Sequence, residues 1–394
     1  MIKVRFSVGN RQLKGFEISG HAMFAESGRD VVCAAVSSAA YMAANTITDV
    51  IGADAVAEAG EASMRVELKQ PDEQAETVLK GLELHLTELS KQYPQPFTAY
   101  LKVAEGCNNC CTYCAIPKIR GKMRSRSIED CVAEAKVLAE KGVTELIVVA
   151  QDTTAYGEDI YGKPMLPKLL KELCKIEKLH WIRTLYTYPE RITDQLIKTV
   201  KEEDKLIKYF DIPLQHINQS ILKRMNRKGN KESISSLIDK IRTEIPDVTL
   251  RTTFITGFPG ETEEQFTELA EFVKKTRFDR LGCFTYSVEE DTAAALMPDQ
   301  IDEQTKQSRL ENIMEMQMGI AAEKNGEKTD TVTEVLIEGW DDYIKCYFGR
   351  TVFDAPEVDG KIFFMSTRPL VIGEYVKVRI NDCIDYDLLG ELEE

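Results

Sequence analysis

Beyond residue 96 six short apolar runs alternate with amphipathic stretches of helical period. The runs predict strands at 99–106, 145–152, 181–188, 209–216, 249–256 and 280–287, and the stretches predict helices at 129–142, 166–177, 194–204, 234–245 and 263–276. Thr262 followed by Gln265 predicts a capping box for the last of these, after the turn Gly257-Phe258-Pro259-Gly260. Strands alternating with helices in this way mean a parallel sheet with helical crossovers, and six units make a partial (β/α)6 barrel. Polar residues gather where the strands end, at 151–154, 211–216 and 289–291. In a parallel barrel the C-terminal strand ends carry the chemistry.

The chain before residue 95 reads differently. It opens on an alternating strand, Met1 to Phe6, and returns to one at 63–68. Between them, 31–48 carries no charge, which is the minimum length of a membrane span. Ala, Ser, Thr and Asn dominate it and Asp30 and Asp49 bracket it, so it predicts a core helix of small residues. A helix at 72–92 places Val78, Leu82, Leu86 and Leu89 on one face, and Tyr93-Pro94-Gln95-Pro96 breaks it. After a long helix at 302–324, short strands punctuated by Gly339, Gly349, Gly360, Gly373 and Gly390 predict a small antiparallel barrel. The expected organisation is α/β overall: an α+β domain at 1–94, the barrel at 97–329 and the small barrel at 330–394.

With 394 residues, 43% of them hydrophobic, the chain can build two or three buried cores, which excludes disordered, collagenous and disulfide-stapled classes. The net charge is −15, distributed as −4, −2 and −9 over the three segments. So acidic a protein repels phosphate backbones, so no direct nucleic-acid contact is expected and basic proteins are the easier partners. No apolar run follows the N-terminus, so neither a secretory signal nor a membrane anchor is expected, and the expected location is cytoplasmic.

Four of the ten cysteines fall within eight residues, Cys107, Cys110, Cys111 and Cys114. In a reducing compartment such a burst indicates a metal or cluster, while the scattered ones read as small buried hydrophobes. Cys107, Cys111 and Cys114 form C-x3-C-x2-C directly after the first barrel strand. Three thiolates on a [4Fe-4S] cluster leave one iron open to a substrate-like ligand. The zinc alternative would wrap all four adjacent thiolates around one tetrahedral ion, a strained arrangement beside the usual separated pairs. Cys110 is then spare.

These cysteines, within the stretch 99–117, resemble the radical S-adenosylmethionine superfamily. From 97 to 394 the chain resembles the RimO-like methylthiotransferases, through 104–107, 114–117, Ala150-Gln151-Asp152-Thr153-Thr154-Ala155-Tyr156-Gly157, Asp211-Ile212-Pro213-Leu214-Gln215-His216 and Phe278-Asp279-Arg280-Leu281-Gly282. The acidic tail is similar to that family's TRAM barrel. The resemblance implies transfer of a methylthio group to the β-carbon of an aspartate in small-subunit ribosomal protein twelve. It implies S-adenosyl-L-methionine bound at the open iron and an electron donor that reduces the cluster, so that the cofactor carries the hard step. By the same pattern Tyr113 lies against the adenine, and Gln151 and Asp152 belong to the pocket. A tail of −9 suits a basic ribosomal protein better than the RNA modified by sibling enzymes.

One departure is plain. Such enzymes begin with a domain whose three cysteines hold a second cluster, and here only Cys33 precedes Cys107. Radical generation is therefore better supported than sulfur insertion. Residues 1–94 instead resemble the Prp ribosomal-processing cysteine proteases, through Gly15-Phe16-Glu17-Ile18-Ser19-Gly20-His21-Ala22 and the stretch 28–37 that holds Cys33. The resemblance implies a His21–Cys33 dyad, assistance from Ser37, and removal of an N-terminal extension from large-subunit ribosomal protein twenty-seven. A helix N-terminus favours a thiolate at Cys33, which Asp30 as N-cap would partly oppose. The alternatives are a radical enzyme, a chain in which only the protease is active, and a silent docking module.

Overall fold

The computed structural model describes residues 2–9, 12–20, 31–60, 63–92 and 97–393, and the chain divides into two compact units, Met1–Gln95 and Pro96–Glu394. His21, Asp30 and the segment 93–96 lie outside the described residues.

In the first unit β1 (Lys3–Gly9), β2 (Gln12–Ser19), β3 (Ala55–Gly60) and β4 (Ser63–Leu68) form an antiparallel sheet ordered β1-β2-β4-β3. The charge-free stretch is the helix Val31–Asn45, which widens into a π-helical turn at Thr46–Ile51. Its alanines 39, 40 and 43 are buried with Phe16, Val66, Leu79 and Leu82. Its small side chains lie in one buried cluster with residues of the sheet and of the second helix, as expected for a core helix, and no described helix is long and apolar enough to cross a membrane. On the second helix, Glu73–Gln92, the buried face is Ala75, Leu79, Leu82 and Leu86. Val78 and Leu89, placed on that face by the sequence, pack at its partly buried flank.

In the second unit β5 (Thr98–Lys102) is followed by a two-residue antiparallel pair, β6 (Ala104–Glu105) with β7 (Arg124–Ser125). Then come β8 (Glu145–Val149), β9 (Trp181–Thr184), β10 (Tyr209–Gln215), β11 (Thr249–Thr256) and β12 (Arg280–Thr285). The strands form two parallel triplets, β5-β8-β9 and β10-β11-β12. A single parallel bridge, Ile182 to Leu206, links the triplets, so the wall is an open barrel of six strands. Helices cross between them, and the one over Glu263–Thr276 begins with the expected box: Thr262 accepts from the Gln265 amide while the Gln265 side chain accepts from Thr262.

The tail closes into a barrel of β13 (Val332–Asp341), β14 (Cys346–Thr351), β15 (Ile362–Met365), β16 (Tyr375–Ile384) and β17 (Asp387–Leu392). Four of its pairings are antiparallel, but closure comes from a parallel one, β15 with β17. This small barrel covers the N-terminal strand ends of the large one through buried charges. Glu145, the first residue of β8, accepts from Arg350 Nη2 at 2.5 Å and from Thr98 Oγ1 at 2.9 Å. Arg280, the first residue of β12, meets Asp354 at 2.6 Å, and Arg251 bridges Asp211 at 2.9 Å and Asp359 at 3.4 Å. A cleft of about 280 Å³ also lies at this end, lined by His180, Trp181, Glu334 and Phe353 among others. The opposite, C-terminal strand ends are thereby left for chemistry.

Candidate active site

The cysteine loop leaves the sheet at Gly106, whose φ of 82° belongs to the left-handed region. A Cβ there would stand 2.4 Å from the Lys122 carbonyl oxygen, so glycine is required where the outgoing and returning chains close on each other. The Cys107 amide donates to the Gly121 carbonyl at 3.2 Å, and the Met123 amide donates to Asn108 Oδ1 at 3.1 Å. The loop is thus pinched at its base by the β6–β7 pair.

Three further anchors set its far side. Asn109 Nδ2 donates to Asp152 Oδ2 at 2.8 Å, tying the loop to the end of β8. Asn226 Nδ2 donates to the Cys110 carbonyl at 2.9 Å, and Thr112 donates through its amide to Met225 O at 3.1 Å and through Oγ1 to Arg224 O at 2.8 Å. The Ala294 amide donates to Thr112 O at 2.9 Å. Loop residues are thereby clamped by the crossovers after β8 and β10 and by the segment after β12.

Cys107, Cys111 and Cys114 are half-buried, whereas Cys110 is exposed and adopts φ 50°. The Asn109 amide points at Cys107 Sγ, 3.4 Å away. Burial raises the Cys107 and Cys114 thiol pKa values, and Cys111 beside each of them adds to the rise. Among the described residues no three His, Cys, Asp or Glu side chains are gathered about one point to hold a single metal ion. A four-iron cluster asks for something else, three thiolates on three separate irons. Three neighbouring half-buried thiols on one pinned loop fit that donor set.

Tyr113 packs edge-on to Phe258, centroids 6.5 Å apart, in an apolar group with Met225, Tyr286 and Ala294. Burial, the larger cause, lifts its pKa well above that of an ordinary phenol. Asp152 is 2% exposed; its Oδ1 accepts from Thr154 Oγ1 at 2.5 Å and from the Ala155 amide at 3.2 Å. Gln151 follows β8 with a buried side-chain oxygen that finds no hydrogen-bond partner, and so does Gln215 at the end of β10. Buried amide oxygens left unpaired cost free energy unless a ligand or water serves them. Two of them at the ends of strands on either side of the seam fit a polar cofactor.

Sequence reasoning did not single out Asn109 or Arg227, and it marked His216 only within the polar strand end 211–216. His216 is fully buried, with Nε2 3.0 Å from Glu261 Oε1 and Nδ1 accepting from the Asn218 amide at 3.0 Å. With Nδ1 as acceptor, Nε2 carries the proton and donates to Glu261. Glu261 also accepts from the Gly257 amide at 2.5 Å and from Arg309 at 2.8 Å. This chain fixes the turn that presents Phe258 to Tyr113. Its signal lay in the sequence as the polar strand end 211–216, but nothing there named Glu261 as the partner. In the first unit, Cys33 is half-buried on the helix Val31–Asn45.

Three family models match separate stretches of the chain. A model of the radical SAM superfamily matches residues 101–273, one of the cysteine protease Prp matches 1–98, and one of the TRAM domain matches 331–392. The chain is similar to the ribosomal protein uS12 methylthiotransferase RimO of Clostridium novyi (strain NT), 55% identical over 292 residues, covering 74% of this chain and 65% of that protein. RimO of Alkaliphilus oremlandii (strain OhILAs) is 55% identical over 295 residues, 75% of this chain and 67% of that protein. The chain therefore spans about two thirds of the length of these curated relatives. Among solved structures, the Escherichia coli coproporphyrinogen III oxidase HemN, a radical SAM enzyme, matches with a TM-score of 0.44 at 19% identity, covering 60% of this chain and 56% of that one. The ribosomal processing protease Prp of S. aureus matches with a TM-score of 0.23 at 21% identity, covering 24% of this chain and 92% of that one.

Proposed function

This chain belongs to the RimO family of ribosomal protein uS12 methylthiotransferases, and from that premise we propose that its barrel is a radical S-adenosylmethionine enzyme acting on an aspartate of uS12. The observation that carries the reading is the C-x3-C-x2-C loop, pinned at the C-terminal strand ends by Asp152 and by the turn at Met225 and Asn226. Cys107, Cys111 and Cys114 would hold a [4Fe-4S] cluster. When bound, it supplies one electron and an open iron at which S-adenosyl-L-methionine is held for cleavage.

The remaining work falls to the chain. Asp152 accepts from Asn109 and so holds the loop at the second strand end. The unpaired oxygens of Gln151 and Gln215 are acceptors for a cofactor's amino or hydroxyl groups. Tyr113, Phe258 and Tyr286 form an apolar wall that keeps water from a reactive intermediate.

In this sequence only Cys33 precedes Cys107, so the test of sulfur insertion supplies sulfide. The test is anaerobic turnover of the reconstituted protein with S-adenosyl-L-methionine, a reductant, sulfide and uS12, read by intact mass. A gain of one methylthio group on uS12 supports the full reading. Deoxyadenosine without that gain rejects sulfur insertion, and neither product rejects the radical reading altogether.

A second reading is carried by the match of residues 1–98 to the Prp protease family. Cys33, on the helix Val31–Asn45, would be the nucleophile and His21, outside the described residues, its base. Cys33→Ala should abolish cleavage of a peptide spanning the N-terminal extension of large-subunit ribosomal protein twenty-seven; unchanged cleavage refutes the dyad.

A further inference from the structure

Arg227 is 8% exposed and, among the described residues, makes no ion pair, although a buried guanidinium is always charged. Among the described residues its one side-chain hydrogen bond runs from Nη2 to the Pro213 carbonyl at 2.5 Å, its Nε is buried without a partner, and its face lies 4.0 Å over the Tyr188 ring. A carbonyl and an aromatic face offset only part of the desolvation of a full charge. The position is built, not incidental: Met225 and Asn226, the two residues before it, bond to Thr112 and Cys110, the two residues that flank Cys111. Tyr113, Tyr188, Cys111 and Glu190 are its electrostatic neighbours, none of them an ion-pair partner. The turn that grips the cysteine loop on both sides of Cys111 therefore carries a buried positive charge without an ion pair.

We propose that Arg227 is the charge partner of the anionic three-thiolate cluster, a positioning residue that sets how readily the cluster takes its electron. The inference rests on the cluster reading above. A fixed cation stabilises the more negative, reduced form over the oxidised one, so it raises the reduction potential. It also lowers the cost of gathering three thiolates in a half-buried loop, by the attraction of unlike charges at low dielectric.

The test is a redox titration of the reconstituted full chain with dithionite, followed by electron paramagnetic resonance, on wild type, Arg227→Lys and Arg227→Met. Met keeps the volume and removes the charge, and Lys keeps the charge without the planar fork. The expected result is a midpoint potential shifted to more negative values in Arg227→Met and largely restored in Arg227→Lys, at equal iron content. Circular dichroism checks the fold, and if Arg227→Met does not fold, Arg227→Gln takes its place with the same expectation. An unshifted potential in the neutral variant, with a wild-type cluster present, overturns this inference alone. A wild-type chain that takes up no iron and sulfide overturns it together with the cluster reading.

Discussion

Gly106 is the residue at which backbone geometry and cluster chemistry meet. Its left-handed φ and the Lys122 oxygen 2.4 Å from where a Cβ would sit leave no room for a side chain. Gly106→Ala is expected to cost more than about 1 kcal/mol, because both the φ and the close approach oppose it. The same change should lower iron uptake, since Cys107 is the next residue and its amide closes the loop on Gly121. Thermal melting and iron per chain after reconstitution measure the two effects; loss of stability with full iron uptake would separate the pinch from the cluster. Other residues carry the opposite lesson. Cys131 and Cys283 are buried, and burial pushes the Cys283 thiol up to about 12, as suits small hydrophobes outside the chemistry.

At the scale of elements, the buried chain His216–Glu261–Arg309 links the end of β10 to the turn before the helix Glu263–Thr276 and to the long helix Glu303–Gly326. Glu261→Ala leaves Arg309, among the described residues, with the exposed Glu263 as its one carboxylate, beside the main-chain carbonyl of residue 261. The expected loss is about 3 kcal/mol in denaturant unfolding, the lower end for removing one member of a buried pair. A change under about 0.5 kcal/mol would show that the chain does not hold the turn. The strand and helix alternation was legible because each core-facing run is apolar: β11 and its following helix begin and end where the periodicity puts them. Strand ends were read too long for a physical reason. After Val149 and Thr184 the chain leaves the sheet for turns in which Asp152 caps Thr153–Ala155 and Tyr186 takes φ 59°. The helix Gln219–Arg224 escaped notice because six residues, with Ile221 and Leu222 buried, are too few for a period. Arg227 escaped with it, since its meaning comes from what the following turn touches.

For the whole second unit, the acidic tail does two things that composition merges. Its −9 was read as a surface for basic partners, but Asp354 and Asp359 are buried against Arg280 and Arg251, and Glu338 holds Arg350 at 2.6 Å. Part of that charge therefore closes the barrel bottom. Lys328 sits at this junction, 4.8 Å over the Phe353 ring. Burial, aided by the like charge of Arg280, lowers its pKa from 10.5 to about 8, against the pull of Asp354 and Asp279. Between about pH 8 and 10.5 the unfolded chain then binds more protons than the folded one. Stability from this group rises with pH through that window, by at most about 1.4 kcal/mol per pH unit, and is lowest below it. Denaturant unfolding of wild type and Lys328→Met at pH 7.5 and pH 10 isolates the effect, because titrations common to both cancel. The difference should shift in favour of wild type at the higher pH, and a constant difference would contradict the assignment.

Cys107, Cys111 and Cys114 together would make this chain a radical generator. Deoxyadenosine release is its most direct measure, taken from anaerobically reconstituted full-length protein with S-adenosyl-L-methionine and dithionite, beside single Ala variants of Cys107, Cys110, Cys111 and Cys114. Release is expected from wild type and Cys110→Ala and from none of the other three. Release that survives loss of Cys111, or fails with the wild-type iron and sulfide in place, would contradict that role of the cysteines.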